Sequence, residues 1–250
     1  MKKNMLLLNT VRGVKKSPGR FVAILIIIAI GCAFYAGLSA VSTDLKNSGW
    51  KYYREYALAD VQIKSTLGFN GDEIEKLSDG EHFDGGYAGY SADLLVENNG
   101  GQSAVTVLSY SPDQPLNKLY LMEGRLPEKA GECVADYDSM HKISFKIGDT
   151  VKLSADGDND VADYLNQSEY TVVGLVKSPV YVSYERGSTT IGTGSVSAFI
   201  CVPEENFAYD AYTDLYLSVT GAMDESVKPF SDEYNDIVAA AEEYAEGMSA

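Results

Sequence analysis

An uninterrupted apolar run near the N-terminus dominates the pattern of hydrophobic and polar positions. It extends from Phe21 to Val41, reads FVAILIIIAIGCAFYAGLSAV and contains no charged residue. As an α-helix this run would be about 31 Å long, which matches the thickness of the hydrocarbon core of a bilayer. The pattern therefore predicts a transmembrane helix over residues 21–41.

Charge is distributed unevenly on the two sides of this run. No acidic residue precedes Asp44, all 36 acidic residues lie from there onward, and the whole chain has a net charge of −16. Basic flanks of a membrane span remain in the cytoplasm. We therefore expect residues 1–20 to be a cytoplasmic basic amphipathic segment and the acidic remainder to lie outside the membrane. The basic residues ahead of the run are Lys2, Lys3, Arg12, Lys15, Lys16 and Arg20.

Three other origins of the apolar run fit less well. A cleavable signal peptide has a shorter apolar region and a small residue at the outer cleavage position, where Leu38 stands here. A lipoprotein anchor at Cys32 would be followed by a polar tether, but the chain stays apolar as far as Val41. A buried helix of a globular protein would not explain the uneven charge.

The segment ahead of the run has a helical pattern of its own. Its apolar residues share one helical face and its basic residues lie elsewhere, as in helices that lie in the headgroup layer. A frayed basic terminus that only sets the orientation is the alternative. Ser17 followed by Pro18 predicts an N-cap and a first helical turn, so we expect a bend and a new helix there.

Beyond the span, short alternating stretches with few helices indicate a mixed α+β extracytoplasmic domain over residues 42–230. A helix over residues 44–58 continues the membrane helix outward, and Asn70 caps a short helix. Helical spacing predicts a C-terminal helix over residues 231–250. Glutamates crowd its end, which the helix dipole disfavours. Either the helix frays there or it continues toward further membrane segments, and we favour the second. The predicted strands are 59–66, 87–96, 102–110, 132–136, 149–153, 170–176, 196–202 and 214–219.

The link between span and domain is the predicted coupling element. A continuous helix from Phe21, through Val41 at the end of the span, to Leu58 would attach the outer domain rigidly to the bilayer. Gly49 lies in this link, where a proline would break the helix. Trp50 and the tyrosines after it form an interfacial aromatic belt or pack under the outer domain.

Few side-chain patterns indicate chemistry. Phosphate-binding, zinc-protease and nucleophile-elbow motifs are missing, so we assign no catalytic, cofactor-binding or metal-binding residue. The segment DGDND at 156–160 is similar to a calcium loop, but it lacks the turn glycine and the bidentate glutamate, which favours a solvated loop. The acidic composition argues against nucleic acid as a partner, because phosphate binding needs a basic surface.

Two further features leave alternatives open. Cys133 and Cys201 form a disulfide outside the cell or remain buried free thiols in apolar strands, and we favour the second. The glycine-rich stretch that contains Gly187, Gly192 and Gly194 is interpreted as a mobile loop between strands. A role in contacting a substrate or partner is the functional alternative, since loops on rigid scaffolds often carry function.

The order of these segments resembles the FtsX-like and MacB-like ABC transporter permeases of bacteria. Residues 14–45, with a Lys-Ser-Pro-Gly-Arg-Phe start, are similar to the first transmembrane segment of that family. Residues 59–77 resemble the first strand and helix of its outer domain. Residues 119–136, in which Gly-Arg-Leu-Pro is followed by Gly-Glu, resemble a later segment. The remaining similar stretches, which extend the resemblance over nearly the whole chain, are 146–153, 170–202 and 214–219.

The resemblance implies a MacB-like periplasmic core fold and a transport function without chemistry in this chain. A separate cytoplasmic ABC ATPase subunit would hydrolyse ATP, and the outer domain would transmit or sense the motion of the membrane helices. Such permeases have further membrane helices, but no second apolar run of that length follows Val41. We therefore expect a fragment, a truncated open reading frame or one part of a split permease.

The expected partners are then the ATPase subunit, the lipid bilayer, and the remaining permease segments or a second permease copy. The expected location is the plasma membrane, with the N-terminus in the cytoplasm. A stand-alone single-pass sensor or binding protein is the alternative function, and an extracellular hydrolase is a third.

Overall fold

A computed structural model describes residues 2–77, 80–98, 101–138, 143–224, 226–228 and 230–248. The chain divides into two compact units, Met1–Trp50 and Lys51–Ala250. The first unit is helical and contains a candidate membrane span, and the second is a sheet-rich mixed α+β domain. The predicted fold class is therefore confirmed.

The N-terminal unit consists of two consecutive helices. The first, α1, covers Lys2–Lys16, and the second, α2, covers Pro18–Glu55 and extends into the second unit. Ser17 separates the two helices, and its carbonyl accepts a hydrogen bond from the Phe21 amide (3.4 Å). An 18-residue window of α2 has a mean hydropathy of 2.6 and none of it is buried. By length and composition, α2 can cross a membrane.

Ten strands and two further α-helices lie in the described part of the second unit. Seven of the eight strands predicted from alternation are each matched by one of these strands, and the eighth, 87–96, overlaps two of them. Only β5 has no counterpart among the predicted strands. In chain order the elements are β1 (Val61–Phe69), α3 (Gly71–Leu77), β2 (Phe83–Gly89), β3 (Ser91–Asn98), β4 (Gly101–Tyr110), β5 (Tyr120–Gly124), β6 (Glu132–Asp136), β7 (Thr150–Ser154), β8 (Glu169–Lys177), β9 (Val196–Pro203), β10 (Tyr212–Val219) and α4 (Asp232–Met248).

Seven strands form one sheet, and six of them close into a barrel. The strand order is β5-β8-β6-β9-β4-β3-β7, and β7 also pairs with β8. The long strand β8 pairs with β7 through its first residues and with β5 through its last. We term the strands β3 to β9 and their connections the barrel lobe.

Alternation along each strand divides the barrel lobe into an inner and an outer apolar layer. On β4, Val105 and Val107 point into the barrel core, and on β9 the same is true of Ile200. The neighbouring residues Phe199 and Cys201 belong to a second cluster on the outer face. Because side chains alternate with period two, one strand serves both layers.

The two cysteines of the barrel lobe lie on neighbouring strands but on opposite faces. Val134 is paired with Cys201, and both belong to the outer cluster, whereas Cys133 belongs to the inner cluster. Both thiols are buried and free, and burial raises the pKa of Cys133 to about 12. The free-thiol interpretation is confirmed. The two side chains lie on opposite faces of the sheet, so a disulfide would require one of the strands to reverse its orientation.

A smaller, three-stranded antiparallel sheet forms with α3 and α4 what we term the sheet lobe. Its order is β1-β10-β2. Leu215 and Leu217 of the central strand share one buried cluster with Ala241 and Ala245 of α4. Helix α4 ends at Met248, so the last two residues of the predicted C-terminal helix lie outside the described residues. Its continuation toward further membrane segments stays a prediction.

The single strand predicted over residues 87–96 is wrong, because the chain changes sheets at Tyr90. The Tyr90 amide donates a hydrogen bond to the Ser109 hydroxyl (2.9 Å), and the Ser91 amide donates one to the Thr213 hydroxyl (2.7 Å). Side-chain oxygens thus satisfy the backbone where it leaves one sheet and enters the other. The apolar alternation continues across this point, so the sequence pattern does not show the change of sheet.

Candidate functional site

The C-terminal end of α2 is a tight turn within the second unit. The helix ends at Glu55, and the Leu58 amide donates a hydrogen bond back to the Tyr53 carbonyl (2.9 Å). Ala57 has a φ of 47°, the left-handed conformation that commonly terminates helices. The prediction of a continuous helix as far as Leu58 is therefore wrong. We term residues Tyr56–Ala59 the helix-exit turn.

One asparagine of the barrel lobe fixes the helix-exit turn. The Asn117 amide donates to the Ala57 carbonyl (2.7 Å), and the next amide, of Lys118, donates to the Tyr56 carbonyl (2.9 Å). In return the Ala59 amide donates to the side-chain oxygen of Asn117 (3.0 Å). Three hydrogen bonds thus join the turn to the connection between β4 and β5.

Asn117 was not identified from the sequence. It is 4% exposed and has a φ of 54°, a conformation that asparagine tolerates better than most residues. The sequence Pro115-Leu116-Asn117 indicates a turn, but nothing in it indicates a partner so far back along the chain. Beside it, the ring of Tyr120 meets that of Tyr56 edge-on, with centroids 5.6 Å apart.

The sheet lobe holds the last turn of α2 as well. A guanidinium nitrogen of Arg54 donates to the Met223 carbonyl (2.5 Å), just after β10. The ring of Tyr53 contacts Phe230 edge-on, with centroids 5.4 Å apart, just before α4. The final turn of the helix and its exit are therefore attached to both lobes.

Asp60, which follows the helix-exit turn, extends this attachment to β10 and α4. Its amide donates to the Leu217 carbonyl (2.9 Å). Its carboxylate accepts hydrogen bonds from the Val219 amide (2.9 Å) and the Tyr234 hydroxyl (3.0 Å). Burial raises the pKa of Asp60, because the ionised form loses hydration, and the two hydrogen bonds oppose that effect only in part.

The other residues of the predicted link lie within α2. Phe21 and Val41 are exposed along its apolar part, Gly49 lies before its last turns, and Trp50 is buried. The contacts of Tyr53 and Tyr56 with the outer domain favour the packing interpretation of the aromatic residues after the span over an interfacial belt. The coupling role of these residues stays a prediction.

The glycine-rich stretch lies between β8 and β9, as predicted. Gly187, Gly192 and Gly194 all have positive φ values, of 103°, 59° and 81°, which residues with a side chain rarely adopt. Amides of Thr189 and Val196 donate to the carbonyls of Gly194 and Gly187, which closes the stretch into a hairpin. We term residues 187–194 the glycine hairpin. Its role in contacting a partner stays a prediction.

A buried ion pair anchors the start of the glycine hairpin, and the sequence did not reveal it. Arg186 donates through Nε and Nη2 to the two oxygens of Asp136, at 2.6 and 3.0 Å. The guanidinium also donates to the Ser183 carbonyl and lies 5.5 Å from the ring centre of Tyr181. Such bidentate, desolvated pairs have a strict geometry. The pair therefore fixes where the hairpin leaves the barrel.

The segment 156–160, which is similar to a calcium loop, has a local structural role. Asp160 caps the 3-10 helix Val161–Asp163 and accepts a hydrogen bond from the Ala162 amide (3.1 Å). Its own amide donates to the Asp163 carboxylate, which completes a capping box. Among the residues with described structure, no group of three or more metal-binding side chains lies together.

Comparison by sequence finds no matching family model and no matching curated protein. Comparison by structure finds the outer domains of ABC-type transporters. One is the extracellular domain of the noncanonic ABC-type transporter YknZ from Gram-positive bacteria, at 11% identity and a TM-score of 0.38, covering 73% of this chain and 87% of the other. Another is the periplasmic region of MacB from Actinobacillus actinomycetemcomitans, at 11% identity and a TM-score of 0.38, covering 74% and 76%.

Proposed function

We propose that this chain is the membrane-anchored outer-domain portion of an FtsX-like or MacB-like ABC transporter permease. In this proposal α2 crosses the plasma membrane, residues 1–20 stay in the cytoplasm, and the α+β domain lies outside. The chain transmits motion and catalyses no reaction in this proposal: it couples ATP hydrolysis in the cytoplasm to events at the outer face of the membrane.

The continuity of α2 is the observation that carries this proposal. One uninterrupted helix, Pro18–Glu55, leads from the apolar span to the helix-exit turn. At 1.5 Å per residue it is about 57 Å long, well beyond the hydrocarbon core of a bilayer. A helix of that length transmits rotation or axial displacement of the span to its end. There, Arg54 donates a hydrogen bond to Met223 beside the sheet lobe, and Ala59 of the helix-exit turn donates one to Asn117 of the barrel lobe.

The partners follow from what this chain does not supply. Its sequence has no phosphate-binding loop, so a separate cytoplasmic ATPase subunit would provide hydrolysis. One apolar span cannot enclose a transport path, so further permease segments or a second permease copy would complete it. The basic flank of the span supports the assignment of the N-terminus to the cytoplasm.

Purification from native membranes tests this proposal. The chain, with an affinity tag placed in its natural gene, would be extracted from source-cell membranes in mild detergent and its companions identified by mass spectrometry. We expect an ATPase subunit with a Gly-x4-Gly-Lys-Ser/Thr motif to co-purify in stoichiometric amount. A membrane-retained chain without an ATPase would contradict the proposal and favour a single-pass sensor or binding protein.

A further inference from the structure

An open groove lies on the barrel lobe beside the point where the chain passes between the lobes. Its floor carries the rings of Tyr90, Tyr110 and Phe207, together with three prolines. These residues come from the link between β2 and β3, the end of β4, the turn after β5, and the segment after β9. Four separate segments thus converge on one concave, aromatic surface.

The aromatic floor is held in place from below. Phe207 and Tyr110 are only 7% and 9% exposed, so the surrounding core restrains both rings. Tyr90 stacks on Phe207 with ring centroids 5.2 Å apart and an interplanar angle of 20°. The Tyr90 backbone is itself bonded to Ser109. The groove is therefore preformed, which lowers the entropic cost of binding.

Three carboxylates, those of Glu128, Glu204 and Glu205, line the same groove. None of them forms an ion pair or side-chain hydrogen bond with any residue whose structure is described. Arg125 is the cation that interacts with Glu128 through space, but Glu132 engages both of its terminal nitrogens, at 2.8 and 2.5 Å. Within the part of the chain that the structure describes, the groove therefore contains three carboxylates that form no direct ion pair.

We propose that this groove binds an extended, basic, proline-containing segment of a partner protein. Aromatic-lined grooves accept such segments because prolines of a polyproline II helix fit between rings at low entropic cost. Lysine or arginine side chains of the segment would meet the carboxylates of the groove and lie over the tyrosine rings. The carboxylates come from two separate segments, so a ligand with several positive charges uses them better than a small cation.

This inference concerns only residues 51–250 and does not depend on the transporter proposal. The probe is a fluorescein-labelled decapeptide, RPPRPPRPPR, added to the full chain in nanodiscs made of a neutral lipid. Fluorescence anisotropy gives its affinity. The test variant is Glu204→Gln/Glu205→Gln, and the charge-matched control is Asp156→Asn/Asp158→Asn in an exposed loop. A second probe, RGSRGSRGSR, has the same charge without proline.

We expect the glutamate variant to weaken binding of the proline probe about tenfold, the aspartate control to leave it within about twofold, and the second probe to bind less tightly. If both variants weaken binding equally, the peptide is attracted by the net negative charge of the domain and not by the groove, and the proposal is overturned. Equal affinity for the two probes would show that proline is not recognised and would overturn the proposal. Displacement of the peptide by micromolar choline would show a site for a small cation and would overturn it as well. The absence of saturable binding below about millimolar peptide would show that the groove does not bind such a segment.

Discussion

At the residue scale, the helix-exit turn depends most on Asn117. Its backbone and side chain together make hydrogen bonds to Ala57 and Ala59, and its left-handed conformation directs them. These few polar contacts come from a residue of the barrel lobe that lies far from the turn in sequence. A single substitution here therefore tests whether the attachment of the turn contributes to stability.

We predict that Asn117→Ala lowers the free energy of unfolding of the outer domain by about 1–2 kcal/mol, because the Ala59 amide loses its acceptor and alanine disfavours positive φ. Asn117→Gly can keep the positive φ, so its free energy of unfolding should fall only by the contribution of the side-chain hydrogen bond. Urea unfolding of the full chain in detergent, followed by tryptophan fluorescence, measures both. Asn159→Ala, in an exposed loop, is the control, and an Asn117→Ala variant as stable as this control contradicts the prediction.

Asp60 gives a prediction on pH dependence. Its pKa is raised in the folded state, so the ionised carboxylate disfavours folding, and this effect is fully present above the folded pKa and absent below the unfolded one. Asp60→Asn should therefore be more stable than the native chain at pH 7, and the difference should shrink as the pH falls through the raised folded pKa and be lost once the pH is below about 4. Parallel urea titrations at both pH values test this. A less stable asparagine variant at pH 7 is the contrary result.

Residue roles that act over one helical turn were predictable, whereas roles that act across the fold were not. Asn70 caps α3 as predicted: it accepts a hydrogen bond from the Glu73 amide, and Glu73 accepts one in return. The partners lie three residues apart, so the sequence contains the whole motif. Asn117 and Arg186 act on partners 58 and 50 residues away, which only the folded chain brings near.

At the element scale, the strands were well predicted and their partners were not. Apolar alternation indicated β4, β6 and β9 within a residue or two. The same alternation carried the prediction across Tyr90, because both sheets bury residues with period two. Strand β5 lacked a signal because its residues are mostly exposed. Closure of the barrel depends on which edges of β7 and β8 meet, and alternation contains no information on that pairing.

The glycine hairpin provides the prediction at this scale, through its Asp136–Arg186 anchor. Arg186→Met should destabilise the outer domain by about 3–5 kcal/mol, because it removes the guanidinium that pairs with the buried Asp136 carboxylate. The double variant Asp136→Leu/Arg186→Met should recover most of that loss, since no unpaired charge remains. Thermal or urea unfolding of both variants measures these changes in stability. If the double variant is as unstable as the single one, the ion pair is not what anchors the hairpin.

At the scale of the whole molecule, the membrane span and the α+β domain were both apparent from the sequence. The span depends on composition and length alone, and the domain on short alternating segments. The division of the domain into a barrel lobe and a sheet lobe was not predictable, because each lobe contains strands distant in the chain: β10 pairs with β1 and β2. The attachment of the barrel lobe to the helix-exit turn, and of the sheet lobe to the last turn of α2, is evident only in the folded chain.

The proposed orientation leads to a labelling prediction. Asp158→Cys, in an exposed loop of the barrel lobe, should react with a membrane-impermeant maleimide in intact cells. Lys15→Cys, ahead of the span, should react only after the membrane is permeabilised. The native chain is the control, because Cys133 and Cys201 are buried and Cys32 lies in the apolar span. Labelling of Lys15→Cys in intact cells would reverse the proposed orientation.

The measurement that tests the central claim most directly is ATP hydrolysis by the purified native complex carrying substitutions at Gly49. Gly49→Pro removes a helical hydrogen bond and breaks α2 at a cost of about 3 kcal/mol, whereas Gly49→Ala keeps the helix continuous. We predict that stimulation of the ATPase by the permease is lost in the proline variant and retained in the alanine variant. Intact stimulation with Gly49→Pro would contradict coupling through a continuous α2.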